Sequence, residues 1–208
     1  MIERRHNEIL GQPPRISAPI ENNDVIKASQ QHVAKLKTTG GGAPVDPASI
    51  DSKQIPEMVV ALMGCHPELY ENVADVSVAL MAKSCLPRRD LELVVLRTDW
   101  LCQSPYNWGE HVVIAKRYGV TEEEIERITL GSEAAGWSAH DQALVRAAED
   151  LHHNAMLSDE VWTELSNTFS EKQLFELIVL VGQFTLVTYF QNSLRFRLTG
   201  EGKGLLER

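Results

Sequence analysis

Cysteine is scarce in this 208-residue chain, and what there is of it is badly spaced for chemistry. Cys65, Cys85 and Cys102 are odd in number and far apart. They spell neither a disulfide framework nor a CxxC redox or zinc pair, and each is read as a reduced thiol packed as a small hydrophobe. Cations are also in short supply. With 20 Lys+Arg against 29 Asp+Glu the formal charge is -9, whereas a phosphate-binding face needs concentrated positive charge, so nucleic acid is not an expected partner. Only Arg88-Arg89 and Arg195-Phe196-Arg197 cluster basic residues. An uninterrupted apolar run of about 18 residues is missing too. The opening MIERRHNEIL has no apolar signal core, and the expectation is a soluble, cytoplasmic protein with no membrane partner. The triplet Gly40-Gly41-Gly42 lacks both a preceding strand and a following Gly-Lys-Ser/Thr, so it reads as a flexible linker rather than a phosphate loop.

What is present is helical punctuation. Hydrophobic residues make up 43% of the chain, enough for one domain with appendages. Residues 1–21, with Pro13, Pro14 and Pro19 and few apolar anchors, read as an arm that is loose or laid across a neighbouring subunit. Residues 22–55 read as a helix followed by a Gly/Pro-rich linker, and residues 56–208 as the main helical domain. Pro67, Pro87 and Ser104-Pro105 suit first turns of helices, and Gly119 suits a helix end. Thr121 to Glu124 and Ser170 to Gln173 have the capping-box spacing, with Ser138 and Ser158 as further caps. Helices are predicted near 22–38, 56–64, 67–82, 87–103, 105–118, 121–130, 139–154, 158–168 and 171–197, and no alternating strand competes, which makes the fold all-α. The last helix is apolar on several sides, as expected of a central or subunit-interface helix. A faint echo of Glu92–Leu96 at Glu176–Leu180 raises an internal duplication, against which stands chance agreement of two apolar helices.

Chemistry is expected between Glu92 and His111, where the chain reads ELVVLRTDWLCQSPYNWGEH. This is read as an apolar helix carrying one carboxylate, a Ser-Pro break, and a second helix that opens with aromatics and a histidine. Ionisable groups in an apolar run must find partners or shift their pKa, and such groups gather at functional sites. Plainer readings stand beside this one. Glu92 can pair with Arg88 one turn earlier, His111 can be a packed helix residue, Arg97 can bridge subunits, and Tyr106 and Trp108 can be wall or core. His152-His153 with Glu149 reads as packing rather than a metal site, and Glu122-Glu123-Glu124 suits the positive end of a helix dipole.

The run of Glu92, Ser104, Tyr106-Asn107-Trp108, His111, Ala115 and Gly119 resembles the carboxymuconolactone decarboxylase family, which shares its fold with the alkylhydroperoxidase D proteins. The Thr121 cap and the later stretches Asp141–Leu144, Ser158–Trp162 and Gly182–Phe184 extend the likeness over roughly residues 56–198. The resemblance implies an alkylhydroperoxidase D-like helical bundle that forms a homo-oligomer, whether dimer, trimer or hexamer. In the peroxidase branch a glutamate, a CxxC pair and a histidine act together. Here Ser104 and Asn107 stand where the two cysteines belong and Cys102 is out of register, so dithiol peroxidase activity is not expected. The decarboxylase branch keeps a Tyr-x-Trp-x-x-His element, which Tyr106, Trp108 and His111 match, with Asn107 replacing the acid often found between the aromatics. The activity implied is that of a cofactor-free, metal-free lyase acting on a small carboxylated molecule, lactone or aromatic-derived. His111 would protonate an enolate and Glu92 would orient it. Arg97 would hold a substrate carboxylate, Tyr106 and Asn107 would donate to the oxyanion, and Ser104 and Trp108 would complete the site. The alternatives are a thiol-dependent hydroperoxide reductase and a non-catalytic oligomer that binds a small ligand.

Overall fold

One helix is buried along nearly its whole length, and the rest of the molecule is arranged around it. In the computed structural model, which describes residues 1–39, 43–198 and 202–208, this helix is the fifth of ten. The helices are α1 (Ile2–Ile9), α2 (Asn23–Thr39), α3 (Glu57–Cys65), α4 (Pro67–Ala82), α5 (Arg88–Leu101), α6 (Pro105–Arg117), α7 (Glu122–Leu130), α8 (Ala139–Asn154), α9 (Asp159–Ser166) and α10 (Glu171–Leu194). No strand occurs among the described residues. Every residue of α5 from Asp90 to Asp99 is buried, and α6, α7, α8 and α10 pack around it. Leu91, Leu93 and Leu96 have no accessible surface, and each such side chain stabilises the fold by about 1.5–3 kcal/mol. A charged residue on this helix therefore has no route to water unless a neighbour opens one.

The expected caps are formed. Ser104, Ser138 and Ser158 accept from the amides of Asn107, Asp141 and Val161, and Thr121 with Glu124 makes a reciprocal capping box. Between α5 and α6 the chain reverses through Gln103, a non-glycine residue at φ 50. The Ser104 amide donates to the Asp99 carbonyl at 3.0 Å, which ties the start of α6 to the end of α5. A smaller apolar cluster, including Ala34, Ile50, Val60 and Met63, forms a layer of α2 and α3 that meets the rest through α4.

Two expectations change and one falls outside the described residues. The 1–21 arm contains a helix, α1, and folds back on its own chain: Ile9 is buried, Arg5 donates to the carbonyls of Gln103 and Cys102, and His6 accepts from the Leu205 amide. The Gly40-Gly41-Gly42 centre of the expected linker lies outside the described residues. The five-residue echo does not continue, because the same offset places the Ser104-Pro105 break on Thr188-Tyr189, inside unbroken α10. That helix is also long and apolar enough by composition to cross a membrane, although its packing against α4, α5, α6 and α8 makes it a core helix of this bundle. The C-terminal 3-10 turn at Gly204–Leu206 was not foreseen; it tucks under α6 with Leu205 fully buried.

Candidate functional site

Three helices each turn residues seven apart toward one buried space. Seven residues are two helical turns, so such residues share a face. From α5 come Glu92 and Asp99, from α6 His111 with Asn107 and the capping Ser104, and from α10 Phe184 and Gln191. Glu92, Asp99 and Ser104 have no accessible surface, and His111 keeps 7% of its own. His111 Nδ1 lies 2.8 Å from Glu92 Oε2, and its ring meets Phe184 edge-on at 5.0 Å. Among the described residues Nε2 has no hydrogen-bond partner, so the free nitrogen is the one able to exchange a proton with a bound molecule. Arg88 places Nη2 3.0 Å from Glu92 Oε1, but too poorly aligned to satisfy that oxygen by a hydrogen bond.

A chain of amides fixes the other acid. Asn107 Nδ2 donates to Asp99 Oδ1 at 3.1 Å, and Gln191 Nε2 donates to Asn107 Oδ1 at 3.0 Å. The Ser104 hydroxyl in turn donates to Gln191 Oε1 at 3.3 Å. Among the described residues Asp99 Oδ2 has no partner, in a fully buried place. Burial pushes the Asp99 carboxyl up to about 7, against the pull of His111 and of the Asn107 hydrogen bond. For His111, burial alone would lower the pKa; the hydrogen bond and charge of Glu92, with Asp99 adding, outweigh it and raise the pKa above the usual histidine value. The site therefore holds an imidazole whose protonated form Glu92 favours, beside an acid whose carboxyl burial pushes up to about 7.

The remaining expected residues lie elsewhere. Arg97 is on another face of α5, where Nη2 pairs with Glu149 of α8 at 2.7 Å and Nη1 donates to the Ile128 carbonyl at 2.7 Å; the guanidinium beside the His111 pair is that of Arg88. Tyr106 lines a cleft of about 430 Å³ between α6 and the C-terminal tail. Burial pushes its phenol well above the ordinary range. Trp108 has no accessible surface, stacks at a tilt on Trp100 at 4.9 Å and donates Nε1 to the Glu207 carbonyl. It anchors the tail rather than facing His111. Neither Glu92, Asp99 nor His111 lines any of five surface clefts on the molecule. The three thiols are free, and burial pushes the Cys102 thiol up, away from the thiolate form that nucleophilic or redox chemistry needs. Among the described residues no group of three or more His, Cys, Asp or Glu side chains is placed to hold a metal ion.

Sequence reasoning missed Asp99 and Gln191. The signal for Asp99 was available: it follows Glu92 by seven residues, two helical turns, so it shares that residue's face of α5. Gln191 offered none, since nothing local says that an amide near the end of a long apolar helix faces another amide on α6.

Residues 67–150 match the carboxymuconolactone decarboxylase family. No curated protein matches the chain. Among solved structures, an alkylhydroperoxidase AhpD core from Ralstonia eutropha JMP134, an uncharacterised peroxidase-related protein, is similar with TM-score 0.69 at 16% identity, covering 91% of this chain and 95% of that one. The debrominase Bmp8, as a cysteine-to-alanine variant with 2,3,4-tribromopyrrole, is similar with TM-score 0.62 at 13% identity, over 91% of this chain and 94% of that one. A protein of unknown function from Agrobacterium tumefaciens, named as a candidate AhpD antioxidant-defence protein, is similar with TM-score 0.61 at 18% identity, over 66% of this chain and 95% of that one. At these identities the likeness establishes the fold.

Proposed function

From a chain whose residues 67–150 match the carboxymuconolactone decarboxylase family and whose helices are arranged as in AhpD-like structures, we propose a cofactor-free enzyme that moves protons on a small carboxylated substrate in the cytoplasm. The observation that carries this reading is the buried His111–Glu92 contact of 2.8 Å, with Nε2 lacking a protein partner. In a decarboxylation the bond from the substrate carbon to its carboxylate breaks, carbon dioxide leaves, and the electron pair stays behind as an enolate. His111 gives its proton to that carbon and takes another from water before the next turnover, while the charges of Glu92 and Asp99 favour its protonated form. Glu92 positions the imidazole and favours its charged form. Asn107 and Ser104, held by Gln191, keep Asp99 in place, so their role is positioning. Arg97 is tied to Glu149 and takes no part in this reading, and Tyr106 and Trp108 act as wall and anchor.

A thiol-dependent peroxide reductase has no dithiol to work with in this chain. The absence of His111 from the five clefts favours a second reading, a closed ligand-binding oligomer that keeps the scaffold. The deciding experiment follows proton uptake and carbon dioxide release over a panel of lactone and β-keto carboxylates, comparing wild type with His111→Ala. The proposed enzyme shows a signal that falls about 10²–10⁴-fold in the variant. Turnover equal in both proteins rejects the role of His111. Thermal stabilisation by a panel compound with no turnover in either protein supports the binding reading.

A further inference from the structure

The basic cluster Arg195-Phe196-Arg197 takes no part in the candidate site. It begins where α10 ends against α1, beside a cleft of about 300 Å³ whose lining includes Arg5, Glu8, Arg15, Ser193 and Arg195. The chain as a whole carries a formal charge of -9, so three guanidiniums around one small opening are a local reversal of sign. The single carboxylate in that lining, Glu8, is already shared. Its Oε1 pairs with Arg4 at 3.0 Å and its Oε2 with Arg5 at 3.5 Å.

Two of these cations are held side by side by the backbone. The Arg15 amide donates to the Leu194 carbonyl at 2.9 Å, and that carbonyl belongs to the peptide bond leading into Arg195, so the two arginines are neighbours across one hydrogen bond. Neither guanidinium has an ion-pair or hydrogen-bond partner among the described residues. Like charges so placed repel one another. Helix ends do attract cations, but the last carbonyls of α10 are met by main-chain amides: those of Gln191 and Asn192 accept from Phe196 and Arg195. Arg195 also sits at φ 60 and ψ 48, the left-handed cap conformation that glycine or asparagine adopts with least strain. Contacts within the chain account for neither guanidinium, whereas a bound anion accounts for both.

We propose that this cleft binds the phosphate group of a small phosphomonoester. Its guanidiniums come from three segments: α1, the stretch that follows it, and the end of α10. That suits a tetrahedral dianion, whose oxygens point in several directions, better than a planar carboxylate, which a single guanidinium fork can satisfy. Arg5 is the fixed member, because it donates to the carbonyls of Gln103 and Cys102 at 3.2 and 3.4 Å. Arg15 and Arg195 close on the ligand, and the exposed Ser193 adds a hydroxyl donor. A cleft of this size lies at the lower end of those that hold small molecules, which leaves room for a short organic group beside the phosphate.

Isothermal titration of the full chain with inorganic phosphate, in sodium chloride of about 0.15 M, should show saturable binding with a Kd on the order of 1 mM or tighter. Arg15→Gln and Arg195→Gln should each weaken it about tenfold, as the loss of one charge-assisted contact does, and the double variant should bind none. Arg146→Gln, which removes a half-exposed arginine of α8, should leave the affinity unchanged. Glycerol phosphate and phosphatidate vesicles then separate the two sources of the same group. Tighter binding of the former places the phosphate on a soluble ester, and flotation with the latter, lost in the double variant, places it on a lipid headgroup. Without phosphate, Arg195→Gly should melt no lower than wild type, because it relieves both the backbone strain and the crowding of charge. Three results each overturn the proposal: no saturable heat with phosphate, binding that survives the double variant, or Arg195→Gly melting well below wild type, which would give that guanidinium to the fold.

Discussion

Helix α5 makes two carboxylate–imidazole contacts that are nearly copies of one another. Glu92 meets His111 at 2.8 Å and Asp90 meets His140 at 2.9 Å. Each imidazole is also met edge-on by a phenylalanine, Phe184 at 5.0 Å and Phe169 at 5.2 Å. The surroundings differ. The side chains of Glu92 and His111 are 0% and 9% exposed, those of Asp90 and His140 12% and 27%. His140 uses its second nitrogen on the Thr168 hydroxyl at 3.2 Å, whereas among the described residues His111 Nε2 has no partner and neither has Oδ2 of nearby Asp99. Pair geometry therefore does not mark a functional site. Burial with an unmet acid and an unused proton position is what sets the candidate site apart from the second pair, because a buried polar group left without a partner is costly to a fold.

The sharpest way to break the parallel is to truncate the acids. Glu92→Ala leaves His111 and Arg88 without their shared counter-charge in a buried place, and an expected loss of about 3–5 kcal/mol in urea unfolding follows. Glu92→Gln keeps a hydrogen bond but removes the charge that outweighs burial, so the His111 pKa, followed by NMR, should drop from above the ordinary value to below it. A His111 pKa that stays high would show that Glu92 is not its source.

Asp99→Asn tests the unmet acid, and its effect should have the opposite sign. The Asp99 pKa is raised from 3.8 to about 7 by folding. Between those values the folded state holds a proton that the unfolded state has lost, and its stability falls as pH rises through that window. The asparagine variant has no such slope. It should be more stable than wild type by about 1–3 kcal/mol at pH 8, with the gain shrinking toward pH 4. His111 adds to the wild-type trend: its raised pKa gives stability that is complete below 6.5 and lost as pH rises through the folded value. Equal stability of wild type and Asp99→Asn at pH 8 would mean that Asp99 reaches solvent.

The helices were legible because their punctuation is local. Ser104-Pro105, Thr121 with Glu124, and Ser158 each announce a helix start from their own residues, and the observed starts agree to within a residue or two. The Glu92–His111 pairing was legible because both lie in one short run whose break brings α6 back along α5. Arg97 could not be placed that way. It is five residues from Glu92, off the shared face, and its partner Glu149 is 52 positions away on another helix. The same holds for the tail, whose anchoring on Trp108 depends on Glu207 99 residues on, and for α1, where a proline-poor stretch of eight residues was hidden by the prolines that follow it.

The smallest expected effect belongs to the Asp90–His140 pair at the rim of the core, and its salt dependence makes it informative. Asp90→Asn removes a charge from a partly exposed contact with His140 and from the first turn of α5, where an acid interacts favourably with the helix dipole. A contact at the rim with its histidine a quarter exposed keeps access to water and contributes less than an enclosed one, about 1 kcal/mol or somewhat more, so urea unfolding should place the variant closer to wild type than Glu92→Ala. That difference should fade in 1 M salt, where the screening length falls to about 3 Å. The Glu92→Ala difference should not fade, because mobile ions do not enter the space between α5, α6 and α10. A salt-insensitive loss of several kcal/mol in Asp90→Asn would make the two pairs equivalent and remove burial as the feature that distinguishes the candidate site.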